Sequence, residues 1–343
     1  MIDVVVLLGV AALGFGLARW MRLPALPFLL LGGLVLGLTG TPSNREFVDN
    51  VLFLGAYFLL FTTGTDMNPH RVGRYKKAAV QVGFVQFGAL FVLGGAAALL
   101  LGYTLTDALY LGLALTASST LVGVRLLLKR RQMFEPFGRL TIGVLLVQDL
   151  LVVLLIPALT YLPDGTDAVV RSMLATLLLL GLTAAMVRWV TPAIVLRLEN
   201  DRETLLLSIL SILFAYMALA SVLEIPLIAA AFLAGVSLSG FPISGLLHSE
   251  LQPIADFFVA IFFTALGVAI ALPDAVHLWH ATAFALTVVL CTPPIVALMT
   301  RRLGFTTRSA LESGLLLSQT SEFSLIVGLQ ALLLNHIGAD IFT

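Results

Sequence analysis

Residues 139–161 read RLTIGVLLVQDLLVVLLIPALTY, an apolar run of helix length with Gln148 and Asp149 at its middle. A carboxylate at the centre of a bilayer costs about 2.5–3.5 kcal/mol on insertion scales. A structural acid hydrogen-bonded between helices is one way to tolerate that cost. Intramembrane acids more often mark an ion or proton pathway, and the flanking sequence favours that reading.

Outward from this run the chain remains apolar. Of 343 residues, 59% are hydrophobic and 11% charged, with a mean hydropathy of +1.06. This is the composition of a polytopic membrane protein. Net charge is zero and no basic patch is interleaved with aromatics, so nucleic acid is not an expected partner. The lone Cys291 excludes an internal disulfide. The opening MIDVVVLLGVAALGFGLARWMR lacks a basic leader and a small-residue cleavage pattern, and reads as a first membrane helix.

Apolar runs bounded by charges, Gly or Pro predict twelve helical segments, near 2–18, 24–39, 47–66, 78–101, 105–129, 137–162, 168–197, 203–223, 226–240, 253–272, 276–300 and 307–334. Several are shorter than about 20 residues, as expected of tilted or broken helices. If all twelve span, the basic residues fall on one side. Arg19 and Arg22, the group Arg71 to Lys77, Arg125 to Arg139, Arg197 and Arg202, and Arg301 to Arg308 all lie there. Only Arg45 and Arg171 lie opposite, with Arg188 inside the seventh segment. The positive-inside rule then puts the chain in an inner membrane with the N-terminus outside.

The halves repeat. A constant shift of 202 brings Pro24 onto Pro226, Gly33 onto Gly235 and Phe61-Thr62 onto Phe263-Thr264. It lays GYTLTDALYLGLALTASS (102–119) over GFTTRSALESGLLLSQTS (304–321) with eight identities in eighteen positions, where such a composition would give roughly two. The second segment thus matches the ninth, seven segments later. An odd number of crossings reverses direction, so the repeats are inverted, an architecture of transporters. The expected organisation is repeat one over about 2–162, a linking helix over about 168–197, and repeat two over about 203–343. Asp149 shifted by 202 reaches position 351, past the last residue, and the closing HIGADIFT reads as the entrance to a thirteenth helix. The expectation is a piece of a longer protein with its thirteenth helix truncated.

Two polar patches occupy matched positions. The fifth segment carries Thr116, Ser118, Ser119 and Thr120; the twelfth carries Ser318, Gln319, Thr320, Ser321 and Glu322. Ser and Thr can simply join helices or bond back to their own turn. Two patches matched by symmetry beside a central Asp favour discontinuous helices whose freed backbone binds ions. No Pro marks either break.

The strings LTASSTLV, LLVQDLLVV, AAFLAGVSLS, FFVAIFFTALGVAI and LLLSQTSEFSLIVG, in that order, resemble the membrane part of monovalent cation:proton antiporters, most closely the Kef-type potassium efflux proteins. The resemblance covers essentially the whole chain. It implies an all-α inverted-repeat antiporter fold with two crossing discontinuous helices. It further implies Asp149 as the carrier of cation or proton, Gln148 as its polar neighbour, and Ser118, Ser119 and Thr120 as contributors from one crossing helix. Residues Ser318 to Glu322 fall at the second.

Physical chemistry runs the same way. Burial disfavours an ionised carboxylate and a bound cation favours it, so proton and cation compete for one site. Alternating exposure of that site couples their fluxes. One Asp beside a neutral Gln points to one-for-one exchange. Related antiporters often carry a Lys in the eleventh segment, where this sequence aligns Thr292. Kef-type proteins also carry a nucleotide-binding regulatory domain and an acidic loop between the ninth and tenth segments. The first does not occur within this chain, and the loop here, LLHSELQP, holds only Glu250 with Asp256 nearby.

Glu322 reads equally as a second proton site or as a structural acid. Glu312 and Asp66 read as interfacial, and Pro293-Pro294 as a kink. His277 and His280 stand three apart without further clear ligands, so no metal is expected. His248 reads as a solvated loop residue. Gly33 and Gly37 form a GxxxG suited to helix packing or a dimer face. The expected partners are lipid, a monovalent cation (K+ ahead of Na+), the proton, a second copy of the chain, and a regulatory domain or subunit outside it. No cofactor is expected. Alternatives to exchange are a cation channel or gated efflux pathway on the same fold, or a sensor that moves no ions. An enzyme is disfavoured by the absence of HExxH, GxSxG or a Cys–His arrangement.

Overall fold

The computed structural model describes residues 2–40, 44–67, 72–192, 202–240 and 244–342. The protein is all-α, and among the described residues eight helices are long and apolar enough to cross a membrane. The helices are α1 (Ile2–Met21), α2 (Ala25–Leu38), α3 (Arg45–Thr65), α4 (Lys76–Leu100), α5 (Leu105–Ala114), α6 (Thr120–Lys129), α7 (Pro136–Thr160) and α8 (Thr166–Ala185). They continue with α9 (Arg202–Val222), α10 (Leu227–Ser237), α11 (Ser244–Ala269), α12 (Ala275–Arg302), α13 (Thr307–Leu316), α14 (Glu322–Leu333) and the short α15 (Ala339–Phe342).

The sequence repeat is a structural one. Pro24 and Pro226 each precede a short apolar helix, α2 and α10, at the position where a missing N–H is harmless. Arg22 and Glu224 both close the preceding helix with positive φ. So do Gly102 and Gly304, after α4 and α12, at φ +91° and +87°. All three pairs stand 202 residues apart.

The chain folds into two compact units, and one of the points where it passes from one to the other falls within α8. The first holds residues 2–67 and 175–272 as far as they are described. In it α2 lies against α1 and α11, and α3 against α10 and α11. Backbones touch at two matched points. A Cβ on Gly33 would lie 2.0 Å from the Thr264 carbonyl oxygen and 2.9 Å from Gly267 Cα; one on Gly235 would lie 2.0 Å from the Phe61 carbonyl oxygen and 2.9 Å from Gly64 Cα. Gly37 meets the Val268 carbonyl in the same way at 2.7 Å. The GxxxG face of α2 therefore packs on α11 of its own chain.

These contacts correct the repeat register in one place. Phe61 and Gly64 are equivalent to Thr264 and Gly267, a shift of 203 rather than 202. The extra residue lies somewhere between Gly235 and Thr264, and the close backbone approach fixes which turn faces which. One segment limit also moves. The tenth predicted segment begins at Ser244, not 253, so all of LLHSELQP is helical; residues 241–243 lie outside the described residues, as does the side chain of His248. The seventh passes through a π-turn over Met186–Val190 and continues to 192; its expected end at 197 lies outside the described residues.

The second unit holds residues 72–174 and 273–342. There α4 packs on α5, α7 and α12; α13 packs on α12 and α7; and α14 packs on α5. Val82, Leu140, Val144, Leu145, Val296 and Leu317 are all buried in one cluster of its core. Outside this core, His277 contacts the Asp274 carboxylate at 2.7 Å, His280 meets the Tyr103 hydroxyl at 2.8 Å, and Arg308 pairs with Glu312 on the surface at 3.0 Å. Among the described residues, no three His, Cys, Asp or Glu side chains gather as metal ligands would.

Candidate functional site: two helix breaks around Asp149

The fifth and twelfth predicted segments are each interrupted, and the same side-chain chemistry makes both interruptions. Thr104 caps α5 by accepting from Asp107 N at 3.3 Å, with Asp107 Oδ2 accepting in return from Thr104 N at 3.0 Å. Thr306 caps α13 by accepting from Ser309 N at 3.2 Å. The first half-helix ends where Thr116 Oγ1 donates to the Leu113 carbonyl at 2.7 Å; the second ends where Ser318 Oγ donates to the Leu315 carbonyl at 2.8 Å. Three residues later a serine starts the next helix. Ser119 Oγ accepts from Val122 N at 3.3 Å, and Ser321 Oγ accepts from Phe323 N at 3.2 Å. Hydroxyls that offer the backbone an alternative partner thus stop and restart each helix without Gly or Pro.

A break leaves carbonyls without helical donors. Each break supplies them to the other. Ser118 Oγ donates to the Leu317 carbonyl at 2.7 Å, and Ser324 Oγ donates to the Ala114 carbonyl. Gln319 Nε2 donates to the Ser119 carbonyl at 3.3 Å, and Ser119 Oγ donates to Glu322 Oε2 at 3.1 Å. The two breaks are therefore one hydrogen-bonded layer.

The α7 helix lies against this layer. Gln148 and Asp149 are wholly buried. Ser118 N donates to Gln148 Oε1 at 3.1 Å, and Thr120 Oγ1 donates to Asp149 Oδ2 at 2.8 Å. Thr120 is the first residue of α6, so its partner carboxylate stands at the positive end of a helix, where negative charge is favoured. Glu322 is in the first turn of α14 and has the same advantage. Asp149 Oδ1 and Gln148 Nε2 are buried without hydrogen-bond partners. A buried carboxylate oxygen without a partner can take either a proton or a cation.

Of the residues expected from sequence, Gln148, Asp149, Ser118, Ser119, Thr120, Gln319, Ser321 and Glu322 meet in this layer. Thr116 and Ser318 are spent inside their own turns, and Thr320 is exposed. Gly33 and Gly37 belong to the α2–α11 contact. Sequence reasoning passed over Gln86 and Ser324. Gln86, wholly buried on α4, donates from Nε2 to Ser118 Oγ at 3.5 Å. Its only sign in the sequence is an amide in an otherwise apolar helix, a sign it shares with Gln81.

The fold is that of the monovalent cation:proton antiporter superfamily. A solved sodium proton antiporter, MjNhaP1 from Methanocaldococcus jannaschii, superposes with a TM-score of 0.73 at 16% identity, covering 100% of this chain and 92% of that one. The transmembrane sodium/hydrogen exchanger family matches residues 5–343, and the chain belongs to that family. Among its relatives, K(+) efflux antiporter 5 of Arabidopsis thaliana is 28% identical over 342 residues, 95% of this chain. The chain spans 60% of that relative's length. The iron transporter MagA of Paramagnetospirillum magneticum is 30% identical over 336 residues, covering 92% of this chain and 75% of the relative.

Proposed function

We propose that this chain is the membrane domain of a secondary transporter that exchanges a monovalent cation, K+ ahead of Na+, for H+, with Asp149 as the alternately loaded group. The observation that carries this reading is the buried Asp149 carboxylate, one oxygen held by Thr120 and the other free, beside two mutually bonded helix breaks. Such an acid, paired with no Lys or Arg among the described residues, is tolerated because a proton or a cation neutralises it in each half of the cycle. Family membership and the A. thaliana efflux relative support the cation and its exchange for H+.

In this reading α5–α6 and α13–α14 are the two crossing discontinuous spans, and the chain runs as twelve membrane segments and the start of a thirteenth. Repeat one covers about 2–162 and repeat two about 203–343, joined through a linking helix near 168–197. The basic residues between segments support an inner-membrane orientation with the N-terminus outside. A homodimer completes the proposal, with any regulatory domain lying outside this chain.

The test is a pH-sensitive dye in proteoliposomes across K+, Na+ and Li+ gradients. An exchanger moves protons uphill against an imposed cation gradient, whereas a channel follows the voltage and a sensor gives no flux. Asp149→Asn abolishes the exchange. Normal exchange by that variant removes Asp149 from the mechanism.

A further inference from the structure

Gln86 is wholly buried, yet the structure gives it little to do as a structural residue. Its single hydrogen bond, from Nε2 to Ser118 Oγ, is long at 3.5 Å, and Oε1 has no partner. An unpartnered buried amide oxygen destabilises a folded protein, and an apolar side chain of like volume would avoid that penalty. The neighbouring helix positions are indeed apolar.

Glycine contacts fix where Gln86 stands. A Cβ on Gly143 would lie 2.5 Å from Ala79 Cβ, and one on Gly83 would lie 2.8 Å from Val147 Cγ1. Helices α4 and α7 therefore run side by side in the same sense, 79 beside 143 and 83 beside 147. That register brings position 86 level with Leu150, one residue past Asp149. Beyond it, a Cβ on Gly112 would lie 2.8 Å from the Phe91 carbonyl oxygen, and one on Gly94 would lie 2.9 Å from Leu115 Cδ1. Here α4 passes the end of α5, where the first break begins. Gln86 thus sits where α4 passes both the proposed carrier and the helix break, with a buried, unpartnered neutral oxygen to offer.

We propose that Gln86 is a specificity-determining residue of the Asp149 site, its Oε1 replacing a water of hydration on the monovalent cation while Asp149 supplies the charge. This rests on the exchange reading above. Neutral oxygens of this kind substitute for a hydration shell in K+ pathways. They suit a weakly hydrated ion such as K+ better than Na+ or Li+, which hold their water more strongly. The weak bond to Ser118 leaves the amide able to turn its oxygen towards an arriving ion.

The experiment compares the protein with Gln86→Leu and Gln86→Glu in proteoliposomes, reading half-saturation and maximal rate for K+, Na+ and Li+ over a range of pH. Gln86→Leu is expected to raise K+ half-saturation by about tenfold, the effect of losing one useful ligand. Its preference for K+ over Na+ is expected to narrow. Gln86→Glu keeps an oxygen in place but adds an acid to the site, and is expected to move the pH profile of exchange. Unchanged half-saturations in Gln86→Leu, or an equal fall in maximal rate for all three cations, overturn the proposal. Should the Leu variant not be recovered folded, Gln86→Glu decides: an unmoved pH profile overturns the assignment. If the parent protein exchanges cations and Asp149→Asn does not, a silent Gln86 sinks only this inference; a parent with no exchange sinks both readings.

Discussion

Ser118 joins three elements, and its removal tests whether the two breaks hold one another. Ser118→Ala keeps the backbone N–H that donates to Gln148 but deletes the hydroxyl. The Leu317 carbonyl then loses its 2.7 Å donor, and Gln86 Nε2 loses its acceptor. Leu317 lies just past the last turn of α13, where no helical N–H can take over. An orphaned buried polar group costs about 1–3 kcal/mol. The bond from Gln86 is already long and adds little, so the expected loss is about 2–3 kcal/mol. Thr116→Val is the matched control. The Leu113 carbonyl that Thr116 Oγ1 reaches also accepts from Thr116 N at 3.1 Å, so deleting that hydroxyl orphans nothing. Its expected cost stays below about 1 kcal/mol. Thermal unfolding of the purified protein, followed by the fraction remaining monodisperse on size exclusion, ranks the two. Equal melting of the variants would show that the hydroxyl of Ser118 is as local as that of Thr116, and the single-layer account would fail.

The α2–α11 and α3–α10 contacts make a paired prediction. Gly33→Ala and Gly235→Ala each force a Cβ to within 2.0 Å of a backbone oxygen, and each is expected to destabilise by about 1–3 kcal/mol through overpacking. A melting series in which only one of them matters would break the symmetry argument. Glu322→Gln retains an oxygen for Ser119 and is expected to keep cation-dependent proton movement, unlike Asp149→Asn; loss of exchange in the dye assay would make Glu322 a second carrier. Asp274 caps α12, accepting from His277 N at 2.8 Å, and that bond holds its exposed carboxyl below the usual carboxylate range. Its contribution is present above the ordinary value of about 4 and is lost as pH falls through the lower folded value. Asp274→Asn should flatten that part of the melting-temperature profile below about pH 4, and an unchanged acid limb would refute the cap's role.

Much of this was legible in the sequence because its physics is local. An acid in an apolar run is visible without any partner, and so are Gln148 and Asp149. Runs of hydroxyls announce helix ends because Ser and Thr cap and back-bond, and the breaks fall at Thr116–Ser119 and Ser318–Ser321 accordingly. What the letters hid depends on contacts distant in sequence. Thr116 and Ser118 look alike in a string, yet one hydroxyl bonds back to its own turn and the other reaches a carbonyl 199 residues away. Gln86 shows locally only as an amide in an apolar stretch, as Gln81 does. The hydrophilic stretch LLHSELQP reads as loop, but α11 runs through it, and Gln252 donates to Asp256 one turn on at 2.7 Å. The repeat register slipped by one residue in α3 because identity in two letters outweighed a backbone contact that only the fold reveals.

The repeat copies the scaffold but not the charge. Caps at 104 and 306, back-bonds at 116 and 318, and caps at 119 and 321 do the same work in each half. At the next position the halves part: Thr120 in one, Glu322 in the other. Both second half-helices nevertheless begin against a carboxylate, α6 against Asp149 and α14 with its own Glu322, as the positive end of a helix favours. The two acids are not equivalent. Glu322 is half-buried and its Oε2 is occupied by Ser119, which makes it part of the bond between breaks. Asp149 is wholly buried, with one oxygen held and one free. The scaffold is repeated, but of these two acids only Asp149 keeps a buried oxygen without a partner among the described residues.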